Sequence, residues 1–310
     1  MERLNNNGAE AALRQTPATI GEACIQASLF LEGHGVGEAR ANAELLMQHL
    51  LGLERSGLLR DWRERFPEER FAKWANWIGR KAEGEPVQYI IGEQWFYGLP
   101  FQVTPAVLIP RPETELLVEA VLAEADRLWP APARPVVLDV GTGSGAIGVT
   151  LAVQRPQWEL IVSDLSPDAL SVARLNAQRH GVAGQLTFVQ GDLLQPFVQS
   201  QQRIDVLVSN PPYIPAADIL ELQPEVRDFE PLMALDGGED GLNPYRAIIK
   251  QLDGLADVPR IVAFELGQGQ AEAVARLLRN CEKWRDIKII SDYAGIKRHV
   301  MAIDYASQPD

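Results

Sequence analysis

Cysteine is nearly absent from this chain: Cys24 and Cys281 stand far apart, with no Cys-x-x-Cys pair and no metal-ligand spacing around them. Neither a disulfide framework nor a zinc site organises such a sequence. Basic charge is scarce too, since 29 Lys and Arg face 42 Asp and Glu for a formal net charge of −13. A mean field of that sign repels polyphosphate backbones. No run of Lys and Arg interleaved with aromatics offsets it, so no direct nucleic-acid partner is expected. Long apolar runs are missing as well: no stretch approaches the roughly 18 apolar residues of a membrane span. The stretch from Met1 to Ala18 has no apolar core of signal-peptide type. These absences lead to the expectation of a cytoplasmic protein that does not touch membranes.

What is present is an ordinary globular composition, 46% hydrophobic and 23% charged, in 310 residues, a length that suits two domains. Residues 1 to about 17 are polar and expected to be poorly ordered. From Thr19 the apolar residues Ile20, Ala23, Cys24, Ala27 and Leu31 recur at steps of three and four, which predicts a helix stopped by Gly33-His34-Gly35. A second helix is predicted over Glu38 to Leu51 and a short one near Leu58. Pro67-Glu68-Glu69 opens another that carries Phe71, Trp74, Trp77 and Ile78 as a buried stripe. Residues 1–84 therefore read as an N-terminal helical domain, followed by a linker over 85–110. In that linker, Val87 to Gly92 and Leu99 to Val103 alternate with period two and are predicted to pair as a hairpin.

Residues 111–310 carry a different rhythm. Pro110 and Pro112 hold a loop ahead of a helix from about Thr114 to Leu128, and strand-like runs then alternate with helical patterns. The predicted strands are Val136 to Val140, Leu160 to Ser163, Leu186 to Val189, Ile204 to Val208 and Arg260 to Phe264. Two more, Ile287 to Ile290 and Val300 to Ile303, lack a helix between them. This pattern predicts an α/β domain with a seven-stranded, mostly parallel Rossmann-like sheet and an antiparallel last strand.

Gly141, Thr142, Gly143, Ser144 and Gly145 sit where the first of these strands ends and a helix begins, a place where glycines let a ligand approach the backbone. The weak G-x-G-x-x-G match from Gly143 to Gly148 indicates a nucleoside-like cofactor without choosing one. Asp164 ends the second strand, where a carboxylate can accept both ribose hydroxyls, and Asp192 ends the third, where it could accept from an adenine amino group. Asp139 has two readings: an acid suited to a cationic ligand, or a turn or helix-capping residue. The first favours S-adenosylmethionine, with its sulfonium and ammonium, over the pyrophosphate of NAD.

Asn210, Pro211, Pro212 and Tyr213 follow the fourth strand and are expected beside the glycine loop. The chemistry that fits them is methylation of an amide nitrogen, a poor nucleophile whose N–H groups must be held by acceptors as positive charge develops. Asn210 offers its side-chain oxygen and Pro211 a backbone carbonyl, while Tyr213 can pack on a planar amide. An oxidoreductase reading leaves these four residues without a role, and a noncatalytic binding module leaves both motifs unexplained.

At these positions the sequence resembles the release factor glutamine methyltransferase family of the PrmC/HemK type. The resemblance rests on Phe96-Tyr97-Gly98, the Leu108 to Glu115 segment Leu-Ile-Pro-Arg-Pro-Glu-Thr-Glu, Asp139 through Gly145, Asp164, Asn210 through Tyr213, and Asp292-Tyr293-Ala294-Gly295. It implies a class I S-adenosylmethionine-dependent enzyme that methylates the glutamine of the Gly-Gly-Gln motif in peptide chain release factors; a monomer is expected. It also implies cofactor contacts at Gly141 to Gly145, Asp164, Asp192, Leu193 and Asn210, and a hold on the glutamine by Asn210 to Tyr213. The family usually carries a larger, often aromatic residue near position 193, where this chain has leucine. Asn-Pro-Pro-Tyr by itself also occurs in enzymes that methylate nucleic-acid bases, and a sister enzyme methylates a glutamine of ribosomal protein L3; these are the alternatives.

Overall fold

Side-chain alternation decides which way each strand of the second unit faces. In β3 (Val136–Val140), Val137 points to one side of the sheet, while Val136, Leu138 and Val140 point to the other. Val206 and Val208 of β6 (Val206–Ser209) join Val137 in a core that also contains Leu117, Val121 and Ile147; Leu207 joins the opposite core, with Tyr245, Ile248 and Val274. Strands covered on both faces become continuous apolar runs, and β3 and β6 are buried at every position.

The molecule, described here for residues 16–304 by a computed structural model, forms two compact units. The stretch expected to be poorly ordered lies, but for its last two residues, outside the described part. One unit runs to Gly92 and takes in Pro224–Phe229; the other comprises Glu93–Gln223 and the chain from Glu230 onward. In the first, helices Ile20–Gly33, Ala39–Leu51, Arg55–Arg60 and Phe71–Ala82 enclose Leu31, Leu46, Trp74 and Ile78. Buried Lys81 ties the Pro224–Phe229 helix to them, its Nζ donating to Glu225 Oε1 at 2.5 Å and to the Glu85 carbonyl at 3.1 Å.

The predicted linker divides between the units. Val87 to Gly92 is not a strand: Val87–Ile91 is a short helix started by Pro86, whose carbonyl accepts from Tyr89 N at 3.0 Å, and Val87 and Ile90 sit in the helical core. Alternation over five residues cannot separate a helix from a strand, and here the apolar core of the helical unit decided. The hairpin begins one step later, pairing β1 (Glu93–Phe96) with β2 (Leu99–Gln102) through Tyr97 (φ 52°) and Gly98 (φ 72°). Both turn residues have positive φ, as a two-residue type I′ turn requires.

The remaining strands, β4 (Glu159–Asp164), β5 (Leu186–Gln190), β7 (Ile261–Glu265), β8 (Asp286–Ser291) and β9 (Lys297–Ile303), complete a seven-stranded sheet of order β5-β4-β3-β6-β7-β9-β8. β9 runs antiparallel to both of its neighbours and all other pairs are parallel. This is the α/β sheet with an antiparallel finish expected from the alternating pattern. The chain leaves β3 toward β4 on one side and later returns as β6 on the other, so the crevice between the ends of β3 and β6 is the switch point where open sheets bind ligands.

Candidate active site

The ends of β3 and β6 are register partners, Val140 opposite Ser209, and this brings the Gly141 loop and the Asn210 turn side by side. Ser209 Oγ donates to the Val140 carbonyl at 2.7 Å and fastens the two strand ends together. A cavity of about 520 Å³ opens there. Gly141, Thr142, Gly143, Ser144, Asp164, Asp192, Leu193, Asn210 and Pro212 all line it. Gly145, Pro211 and Tyr213, also expected in the site, are not among its lining residues.

The glycine loop is shaped by backbone geometry. Gly141 (φ 68°) and Gly143 (φ 55°) adopt left-handed conformations, and a Cβ on either would meet nothing within 4 Å, so their open side is free for a ligand. Gly145 has a different task. It starts the helix Ala146–Gln154 at φ 83°, and a Cβ there would lie 3.2 Å from that of Ala173.

Asp139 corrects one expectation. It shares the face of Val137, so its carboxylate points beneath the helix that follows, where Oδ2 accepts from Thr142 Oγ1 at 2.5 Å and from Gly148 N at 3.0 Å. It is fully buried, and burial pushes its pKa up to about 7. Of the two readings, the capping role is the one realised; Asp139 braces the loop and does not face the cavity.

Asp164 does face it. Its Oδ2 accepts from Gly143 N at 2.9 Å and its Oδ1 from Ser166 N at 2.9 Å, which fixes the carboxylate while each oxygen keeps a lone pair to spare. Burial raises its pKa against the pull of these backbone donors. Leu193 (φ 50°) packs between the cavity and the core, while exposed Asp192 accepts from Gln195 Nε2 at 2.9 Å.

In the turn after β6, Pro211 is buried. Tyr213 packs on the core, its carbonyl accepts from Gln270 Nε2 at 2.8 Å, and burial pushes its phenol up to about 12. These two brace the turn, and the Tyr213 ring is not presented to the cavity. Asn210 is presented, and it leads to two residues that the motif reading passed over. Asn210 Nδ2 donates to Thr114 Oγ1 at 3.3 Å, and Thr114 Oγ1 donates to Glu265 Oε2 at 2.6 Å. Thr114 belongs to the Pro-Arg-Pro-Glu-Thr-Glu segment and itself lines the cavity. Glu265 ends β7; burial pushes it up to about 7, opposed by the Thr114 hydrogen bond and aided by the charge of Glu113. Its sequence signal is a lone acid closing the all-apolar run Ile261 to Phe264.

Two other charges of that segment are held in pairs, and one of them, Arg111, also lines the cavity. Arg111 pairs with buried Glu230 at 2.6 Å, and Glu115 Oε1 accepts from Tyr97 N at 2.8 Å, fixing the hairpin turn.

Two family models match the chain, one described as the PrmC N-terminal domain over residues 22–92 and one as the methyltransferase small domain over residues 112–221. Release factor glutamine methyltransferase of Bacillus cereus is 42% identical over 281 residues, covering 91% of this chain and 98% of that protein. This chain belongs to the release factor glutamine methyltransferase family. Members from Geobacter sulfurreducens (44% identity, 79% of this chain and 83% of that one) and Bacillus subtilis (39%, 92% and 98%) agree. Among solved structures, the hMettl16 catalytic domain in complex with a MAT2A 3'UTR hairpin has a TM-score of 0.53 over 79% of this chain and 84% of that one. At 13% identity it shares the methyltransferase fold and no more.

Proposed function

We propose that this chain transfers the methyl group of S-adenosylmethionine to the side-chain amide nitrogen of the glutamine in the Gly-Gly-Gln motif of peptide chain release factors. The supporting observation is a single cavity walled by the Gly141 loop on one side and Asn210 on the other, in a chain of this family. About 520 Å³ lies within the usual range of small-molecule sites. The donor set also fits the cofactor: an immobilised Asp164 carboxylate suits a ribose diol, the open faces of Gly141 and Gly143 suit close approach of a nucleoside, and Leu193 offers an apolar surface for adenine. When bound, S-adenosylmethionine supplies an electrophilic methyl group.

The residues of the chain do the rest. An amide lone pair is delocalised, so the glutamine nitrogen attacks only if its N–H groups are held and its lone pair is aimed. Asn210 Oδ1 and the Pro211 carbonyl are assigned as the acceptors. As the nitrogen–carbon bond forms and the sulfur–methyl bond breaks, leaving S-adenosylhomocysteine, positive charge passes to the nitrogen, and these two oxygens would offset it. The alkylated nitrogen then loses its proton to water, so no strong base is needed. We assign recognition of the release factor to the helical unit, which matches the family's N-terminal model. We further assign the enzyme to the cytoplasm and to action as a monomer. Among the described residues no helix is long and apolar enough to cross a membrane.

Labelled S-adenosylmethionine incubated with purified protein and, in parallel, release factors, ribosomes, DNA and RNA tests this reading. Label is expected on the Gly-Gly-Gln glutamine of the release factor alone. Label on a ribosomal protein or on a nucleic-acid base would replace it with one of the alternatives.

A further inference from the structure

A carboxamide is nearly symmetrical in shape, and rotation by half a turn exchanges an acceptor oxygen for a donor nitrogen, so the partners alone decide which end of Asn210 faces the cavity. Those partners form a chain with one consistent direction. Glu265 is anchored at the end of β7, where its backbone carbonyl accepts from Tyr245 Oη at 2.7 Å and its register partner is buried His299. Thr114 has one hydroxyl hydrogen, and at 2.6 Å it is committed to Glu265 Oε2. What remains on Thr114 Oγ1 is acceptor capacity, met by Asn210 Nδ2 at 3.3 Å. Rotated the other way, Asn210 would set its oxygen against the lone pairs of Thr114 and close to the Glu265 carboxylate. With Thr114 4% and Glu265 2% exposed, almost no water could relieve that repulsion.

We infer that Thr114 and Glu265 are positioning residues for methyl transfer, fixing the Asn210 carboxamide so that Oδ1, and not Nδ2, meets the N–H of the acceptor amide. This rests on the function proposed above. With Nδ2 forward, two donors would confront each other and the glutamine lone pair would lose its guide. The inference also gives the Pro-Arg-Pro-Glu-Thr-Glu segment a chemical duty: its threonine passes the polarity of a carboxylate on β7 to the amide after β6.

The test is steady-state kinetics on an intact release factor at about pH 8.5, above the value to which burial pushes Glu265. Thr114→Val keeps the shape and removes the hydroxyl; Thr114→Ser keeps the hydroxyl. Thr114→Val is expected to lower kcat by about tenfold or more with both KM values within about threefold, and Thr114→Ser to stay within about threefold of wild type in kcat. Glu265→Gln, whose amide can offer Thr114 either polarity, should lose kcat by about threefold or more without a matching rise in KM. A wild-type kcat in Thr114→Val or Glu265→Gln, or a Thr114→Ser variant as slow as Thr114→Val, would overturn the inference. Wild-type enzyme that leaves release factor unlabelled would instead overturn the function on which it stands.

Discussion

Replacing Asn210 with alanine is expected to lower turnover on release factor by about a hundredfold or more while affinity for S-adenosylmethionine stays within about tenfold. The asymmetry follows from where the residue stands. Asn210 lines the cavity at the end of β6, but the residues assigned to the nucleoside, Asp164 and the open glycines, lie on the strands and loops of β3 and β4. Its oxygen is therefore assigned to the acceptor amide, where the need for a hydrogen-bond partner is greatest as charge develops. Loss of one oriented partner in a transition state costs about 3 kcal/mol, and that sets the factor. Single-turnover rates beside calorimetric binding of the cofactor measure both quantities. Equal losses in the two would make Asn210 a structural residue.

The second large effect is expected at Asp164. Alanine there should weaken S-adenosylmethionine binding by roughly a hundredfold or more, since the two hydrogen bonds assigned to the ribose diol would be lost and each, to a charged acceptor, is worth about 1.5–3 kcal/mol net. The Gly143 amide also loses its partner, and the loop is freed to move. Turnover at saturating cofactor should fall much less, by about fivefold at most, because Asp164 is assigned to the ribose and not to the reacting amide. Calorimetric titration is the measurement. Unchanged affinity would show that the cofactor sits elsewhere in the cavity.

These expectations were within reach of the sequence to unequal degrees. Strands β3, β6 and β7 were legible because a parallel sheet covered on both faces leaves unbroken apolar runs, and a glycine cluster after the first of them marks a ligand loop. Asp139 misled because its position before the loop suggested a cofactor contact. The alternation within Val136–Val140 places it on the face of Val137, and only the folded loop shows its carboxylate taken up by Thr142 and Gly148. Val87–Ile91 misled for another reason: five residues are too few for a period, and the core they join comes from helices earlier in the chain. Thr114 and Glu265 were invisible as a pair, since a hydrogen bond between residues 151 positions apart leaves no trace in local pattern. Pro211 and Tyr213 stand in the expected turn, yet only three dimensions show Pro211 buried and Tyr213 packed on the core.

Methyl transfer by this chain requires one cavity to hold a nucleoside against Asp164 and a reactive group against Asn210. A crystal structure of the complex with S-adenosylhomocysteine measures this directly. The expected result is a ribose diol on the Asp164 carboxylate, adenine against Leu193, and the thioether sulfur at the Asn210 end of the cavity, facing Oδ1. A cofactor whose sulfur lies remote from Asn210, or one bound outside the Gly141 loop, would contradict it.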